Sequence, residues 1–402
     1  MNYIGAGVSA GASAVFVTAE ANGGAGGAVG MTNSVGGSTA NGVLFLEQRA
    51  AGGRGGDSAG GTAGIGGAAT SNLTFDDTAN VNKSATLSFS TNSGQYPGES
   101  TAYGGNGGAA TANTNLTGVG TINAPATAQG ETGALGGLGG AATANATAAG
   151  QAVTVNGYAS GGVGRNAAGA TLATAKGVGV SGSFQADANS NFGAGGVLQA
   201  VKATAHGVVD GLAALSSAGT ARAQSSLSQA APAITTGYPS LARIVGLPNA
   251  SDVNPILAAN SNLNAAFGSA NVKFGLGELG GLHDANGAGS ETITSAIDLL
   301  IDPSKFTAKD LLLGLYGGTS VGGGFTSLTF DVDVGSTAGV INQTFTSVAA
   351  AQTYFTNHAI DLGTMGASVF DVHIALTETT PVANAGFDLA FLLGSANPYS
   401  GG

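Results

Sequence analysis

From residue 142 to 148 the chain alternates strictly. Ala142, Ala144, Ala146 and Ala148 would lie on one side of an extended strand and Thr143, Asn145 and Thr147 on the other. The same period of two places Thr111, Asn113, Asn115 and Thr117 on one face, and again Thr70, Asn72, Thr74 and Asp76. Each run follows a glycine cluster: GGNGGAATAN at 104–113 and GGLGGAATAN at 136–145 start 32 residues apart, and GGAATSN at 66–72 is a third copy. A glycine turn followed by a strand that is small on one side and polar on the other predicts a stacked β-coil. The shared GGAA element recurs after 41 residues and then after 32, so the coil is expected to be irregular. Further alternating runs at 14–18, 42–46, 72–75, 85–90 and 152–156 read as strands of the same array.

The pattern changes after residue 195. Leu198, Val201, Ala205, Val208, Leu212 and Leu215 are spaced as one face of a helix, but Gly207 and Gly211 interrupt it and Val197–Val201 reads equally well as a strand. Residues 196–238 are therefore a transition segment, helix or strand, ending at Pro232 and the turn before Pro239. Beyond Thr235 lie 14 of the 24 Phe and Tyr residues, enough for a conventional core. Here 239–246 and 251–268 read as short helices, the second capped by Ser251. Residues 347–358 read as an amphipathic helix with Val348, Ala351, Tyr354 and Phe355 on one side. Strands are predicted at 291–300, 328–334, 340–346, 369–376 and 386–392. The fold class is mainly β: an irregular Gly-rich β-solenoid or β-roll over 1–195, the transition over 196–238, and a β-sandwich with a few short helices over 239–402.

Composition narrows the function more than it defines it. Much of the 43% hydrophobic content is alanine, and with 72 Gly, 6% aromatics and no Trp the first half can bury only a thin core. Only 8% of residues are charged, so solubility rests on Ser, Thr, Asn and peptide groups, a surface tolerant of self-association. A net charge of −11 with 11 Lys and Arg argues against nucleic acid, and no polybasic segment offers itself to a membrane. The absence of Cys excludes thiol catalysis and Cys-based zinc sites. No apolar run is long enough for a membrane span. Ala19–Ala21 resembles a signal-peptidase site, but a basic segment before it is missing, so a cleavable signal is not expected. Lys309 is the last basic residue, and Asp310, Asp331, Asp333, Asp361, Asp371, Glu378 and Asp388 follow it. Such an acidic end resembles that of type I secretion substrates and equally suits a domain that is simply acidic.

Several constellations invite chemistry. Gly52–Asp57 (GGRGGD) matches the start of a calcium-binding nonapeptide, but the apolar position is Ala59 and the equivalent Asp positions are Ala109, Ala141 and Asn166. One carboxylate builds no calcium ladder, so the glycines are read as tight turns and no cofactor is expected, with Ca²⁺ as the secondary reading. His283, Asp284, Asn286 and Glu291 have calcium-loop spacing without the remaining donors, which favours an Asx turn. Asp331 and Asp333 alternate on one strand and Asp371 and His373 on another, the usual mark of a wet strand face. His206, His283, His358 and His373 form no metal motif, and nucleophile-elbow and phosphate-loop motifs are absent. No catalytic, cofactor-binding or metal-binding residue is assigned, and the chain is expected not to be an enzyme.

With its GGxGG clusters and Thr/Asn strands, the first 195 residues resemble the Gly/Ala/Thr-rich repeats of bacterial secreted and surface proteins, including autotransporter passengers and degenerate RTX-like, type I secreted proteins. The last 160 resemble a domain that often closes such proteins and has no established activity. The resemblance implies an extracellular or cell-surface bacterial protein. The leading expectation is a structural protein that associates with itself into a surface layer, matrix or filament. The alternatives are an adhesin or glycan-binding module using the Thr/Asn face, and a secreted hydrolase acting through Asp331, Asp333, Asp371 and His373.

Overall fold

A computed structural model describes residues 5–11, 13–53, 66–87, 100–103, 107–133, 138–164, 168–190, 200–209, 213–227, 238–268, 271–284, 289–305 and 310–396. The chain divides into two compact units, Met1–Ala203 and Thr204–Gly402.

Unit 1 is a β-solenoid. Its strands are β1 (Gly5–Ser9), β2 (Val15–Asn22), β3 (Val29–Thr32), β4 (Val35–Thr39), β5 (Val43–Ala51), β6 (Ala69–Asp76), β7 (Thr86–Leu87), β8 (Ser100–Tyr103), β9 (Ala110–Thr117), β10 (Thr121–Gln129), β11 (Ala142–Ala149), β12 (Ala152–Gly161), β13 (Thr171–Gly179) and β14 (Ser181–Ser190). Successive strands alternate between two parallel sheets, β3-β6-β9-β11-β13 and β2-β5-β7-β10-β12-β14, with β8 between β5 and β10. β1 and β4 form a separate parallel pair. A short reversal joins β9 to β10 and β11 to β12, and a glycine-rich crossing leads back to the first sheet. The copies stack in register, Ala69 beside Ala110 and Ala110 beside Ala142. Consecutive coils thus span the 41 and 32 residues read from the sequence. The longer coil carries its surplus after β6, where a 3₁₀ turn (Asp77–Ala79) is followed by β7 and β8.

The alternation is used as expected. Ala110, Ala112, Ala142, Ala144, Ala146 and Ala148 are buried, as are Ala124, Ala126, Ala128, Val153 and Val155 from the facing sheet. Methyl-sized side chains let the sheets approach closely: a Cβ on Gly157 would lie 2.6 Å from the Thr174 carbonyl oxygen. The glycines at 24–27 form a tight turn, the Gly27 N–H donating to Gly24 O (2.7 Å), but among the described glycines of this unit only Gly26 and Gly107 have left-handed φ, and those at 140, 162 and 169 have another use. They cross one another in hydrogen-bonding contact. The Gly140 N–H donates to Glu131 O (3.0 Å), Gly162 N–H to Gly140 O (2.9 Å) and Gly169 N–H to Gly162 O (2.9 Å). Glycine serves there because any side chain would push these backbones apart.

Unit 2 is a sandwich. β15 (Val201–Val209) starts at the unit boundary, followed by β16 (Ala213–Gly219), β17 (Arg222–Leu227), β18 (Leu241–Gly246), β19 (Lys273–Leu282), β20 (Glu291–Ile301), β21 (Asp310–Val321), β22 (Ser327–Val334), β23 (Thr337–Phe345), β24 (His358–Thr364), β25 (Phe370–Thr380) and β26 (Gly386–Ala396). One sheet runs β15-β16-β20-β25-β22-β23 and the other β17-β18-β19-β26-β21-β24. Between them Phe330 meets Phe355 edge-on with centroids 5.3 Å apart, and Phe355 meets Phe387 at 5.7 Å. Helices α1 (Ala250–Ala259) and α2 (Ser261–Phe267) bury Val253, Leu257, Leu263 and Phe267 against Leu276, Leu312 and Leu392 of the second sheet.

The transition segment, open between helix and strand, forms strands β15, β16 and β17 where it is described, because Ala203 and Ala205, then Leu215 and Ser217, then Ala223 and Ser225 are buried at every second position. Leu198 and Leu212 lie outside the described residues. Two helix expectations are corrected. Residues 241–246 form β18, not a helix: the apolar run LARIV pairs with β17 on one side and β19 on the other, and that pairing overrides any helical tendency. The helix expected at 251–268 is two helices separated at Asn260, whose φ of −126° and ψ of 93° are extended, and the first is entered from Asn249, not Ser251. The third helix, α3 (Val348–Tyr354), is capped by Ser347, whose Oγ accepts from the Ala350 N–H, and it buries Ala351 as expected. It stops short because Asn357 turns left-handed and His358 opens β24. β19, β21 and β24 were not foreseen. β19 and the Leu311–Leu315 half of β21 are glycine-interrupted apolar runs buried on both faces, which show no alternation.

Candidate functional site

The polar face of the solenoid is an ordered array. On β6, β9 and β11 the parallel register aligns Thr70, Thr111 and Thr143 in one row, Asn72, Asn113 and Asn145 in the next, and Thr74, Asn115 and Thr147 in a third. The middle row is bonded along its length. Asn145 Nδ2 donates to Asn113 Oδ1 (2.8 Å), and Asn113 Nδ2 donates to Asn72 Oδ1 (2.6 Å). At β13 the row passes to Thr174. Asn113 both donates and accepts, and the ladder leaves a surface of neutral hydrogen-bonding groups with no proton-transfer group in these three rows. On the opposite sheet Asn123, Thr154 and Ser183 align, as do Thr127, Tyr158 and Asp187. Tyr158 is 41% exposed.

In unit 2 the outer face of the first sheet gathers residues that the sequence had kept apart. His373 on β25 sits between Asp298 on β20 and Asp333 on β22, and Asp371 shares its face two residues away. His373 Nδ1 lies 2.6 Å from Asp298 Oδ1. That bond holds the imidazole above its usual 6.5, burial opposes it, and the charges of Asp298, Asp333 and Asp371 reinforce it. Asp371 is itself raised, by burial first and by Asp298 second. Asp331 accepts from Asn342 Nδ2 (2.7 Å) and Asp333 from the Gly339 N–H (2.6 Å). Beside them run hydroxyl pairs, Thr294 with Thr377 and Thr329 with Thr344, both at 3.1 Å.

Because the folded-state value of His373 is raised, its contribution to stability is complete below about pH 6.5 and disappears as pH rises through the raised value. We expect the His373 ring proton resonances to titrate above the ordinary histidine midpoint, and Asp298→Asn to bring that midpoint down. A midpoint unmoved by Asp298→Asn contradicts the assignment.

The remaining candidates are separated. Asp57, Ala59 and Asn166 of the calcium-like motif, and Asn286, lie outside the described residues. Ala109 and Ala141 serve the coil through their carbonyls, which accept from the Ala69 and Ala110 N–H groups. His283 is buried, with Nδ1 3.0 Å from Asp284 O, Nε2 2.9 Å from Gly289 O and Glu291 Oε2 3.6 Å from Nδ1, so it pins the ends of its loop. Among the described residues no group of three His, Cys, Asp or Glu is arranged to hold a metal ion, and no helix is long and apolar enough to cross a membrane.

Sequence reading missed a group of buried carboxyls. Glu278 on β19 is 1% exposed and lies 3.5 Å from Arg243 on β18. Asp388 on β26 is paired with Gly280, and Glu378 on β25 points between the sheets. Burial, then the charge of Glu278, pushes Asp388 up to about 8. Burial, then Asp388, pushes Glu378 up to about 9, with the Phe387 N–H offsetting part of the effect. Tyr316, facing Glu278 and Arg243, is raised chiefly by burial, and Arg222 lies over the Tyr238 ring at 4.6 Å. A signal was present in GFDLAFLLG and FGLGELGGL, where a lone acid interrupts an apolar run that has no wet face.

No protein-family model matches the chain, and no curated protein matches it. Among solved structures it is similar to the enzymatically active domain of tailspike protein 4 of bacteriophage CBA120, at 9% identity and a TM-score of 0.18, over 92% of this chain and 55% of that one. The chain thus spans about half the length of that structure.

Proposed function

We propose that this is an extracellular, non-enzymatic structural protein that associates with further copies of itself. The observation that carries the reading is the Asn72–Asn113–Asn145 ladder. Its side chains bond along the solenoid and do not converge on a point, whereas catalysis needs groups that converge on a reacting atom. The wet face of unit 2 supports the same reading, since Asp331 and Asp333 are engaged by Asn342 and Gly339. β23 and β24 each end their sheet, and β23 is largely exposed. Such edges offer unpaired backbone groups to another strand, and a surface of only 8% charged residues does little to repel it. Electron microscopy of the full chain at increasing concentration tests the reading: ordered assemblies are expected, and monomeric particles throughout would refute it.

A second reading, recognition of glycans, is favoured by Tyr158, an exposed ring in a row with Thr127 and Asp187. An aromatic face beside a hydroxyl and a carboxyl group suits a sugar ring. Binding on a glycan array that is lost in Tyr158→Ala would establish this reading in place of a purely structural role.

A further inference from the structure

We propose that unit 2 is a proton-held sandwich: Glu378 and Asp388 are carried in the folded state as neutral acids, and rising pH loosens this unit while leaving unit 1 closed. Glu378 lies on β25 opposite Ile293 of β20 and Leu328 of β22, facing inward. Its Oε1 lies 3.0 Å from the point where a Cβ on Gly281 would stand, and Pro239 O lies 2.8 Å from that point. Neither carboxyl oxygen accepts a hydrogen bond of normal geometry, although Glu378 is 1% exposed. A carboxylate there would be a buried charge offset only in part by the Phe387 N–H, while a carboxylic acid is neutral and costs far less to bury.

Among the described residues no cation is found against Glu378 or Asp388. From β26 the charge felt is Asp388, from β20 it is Glu291, and Glu278 of β19 bears on Asp388. β22 presents the apolar Leu328. Arg243 on β18 is already 3.5 Å from Glu278, Arg222 lies over the Tyr238 ring, and His283 lies against Glu291. Asp388 is buried on the other face of its sheet, its carboxyl folded over Gly280 with 2% exposure.

Both folded-state values are raised, to about 9 for Glu378 and about 8 for Asp388, above ordinary values of 4.5 and 3.8. Between those limits the folded state binds more protons than the unfolded one, so stability is complete in acid and falls as pH rises. Each group raises the unfolded-to-folded ratio by up to about tenfold per pH unit. Unit 1 makes no such demand. Its buried carboxyl among the described residues, Asp77, accepts from Asn80 Nδ2 (2.9 Å) and the Ser84 N–H (2.6 Å), so both of its oxygens have a donor.

Hydrogen exchange read by mass spectrometry on the full chain, corrected for intrinsic exchange, separates the two units. Between about pH 6 and about pH 9, protection in β19, β25 and β26 should fall by about 100-fold or more, with β11 and β12 little changed. Glu378→Gln keeps the shape and removes the titration, so it should reduce that fall by at least about tenfold. Equal protection of unit 2 at both pH values, or an unchanged fall in Glu378→Gln, overturns the proposal. Should the variant fail to fold, the wild-type comparison alone decides.

Discussion

Gly162→Ala should abolish folding of the solenoid unit, or cost at least about 4 kcal/mol if a folded form survives, the scale of the most damaging single substitutions. The position needs no unusual φ. What excludes a side chain is space: a Cβ there would fall on the carbonyl of Glu131, and both chains are backbone held by the bonds linking Glu131, Gly140, Gly162 and Gly169. No rotamer can relieve that clash, and moving either backbone breaks a ladder of hydrogen bonds. Gly24→Ala is the control, since nothing lies within 4 Å of the Cβ it would add. Far-ultraviolet circular dichroism and denaturant titration of the two variants should separate them widely, and similar behaviour would refute the crossing-segment account.

Ala144→Leu should destabilise the same unit by about 3 kcal/mol, at the upper end of the range for overpacked cores. Ala144 is completely buried within a row of alanines, and nearby Gly157 approaches the facing backbone so closely that even a methyl group is excluded. Three added carbons cannot be housed without separating the sheets along several coils. Thr143→Leu, one residue away on the polar face, adds similar bulk toward solvent and should stay within about 1 kcal/mol of wild type. Denaturant midpoints of the pair measure the contrast; equal losses would mean that the two faces are not distinguished.

Much of the solenoid was legible because its two faces differ in size and polarity at every step. The Ala142–Ala148 and Thr143–Thr147 alternation fixes which side is buried, and the 32-residue interval between copies fixes which residues become neighbours. The role of glycine was not legible, since a turn and a close crossing both call for it, and only the backbone contacts at Gly140 and Gly162 decide between them. Unit 2 was read well where strands alternate, as in β20, β22 and β25, and poorly where both faces are covered. β19 lacks a polar side and was not foreseen, and although β26 was expected over 386–392, Glu278 in the one and Asp388 in the other draw notice only once burial is known. Asp298 went unmarked for a different reason. It lies 75 residues from His373, and only the β20–β25 register brings the two together.

The repeats stack in register, so that residues 32 apart stand side by side with a shared outer face. The chain contains no cysteine, which makes a crosslink test free of competing thiols. Thr111 and Thr143 are register partners on the polar face, while Ala142 points to the opposite side. Neighbouring strands about 4.8 Å apart bring register partners within disulfide reach. Under oxidation Thr111→Cys with Thr143→Cys should form an intramolecular disulfide in nearly all molecules, and Thr111→Cys with Ala142→Cys should form none. A bond in the second pair, or failure in a folded first pair, would contradict the stacked coil on which this account rests.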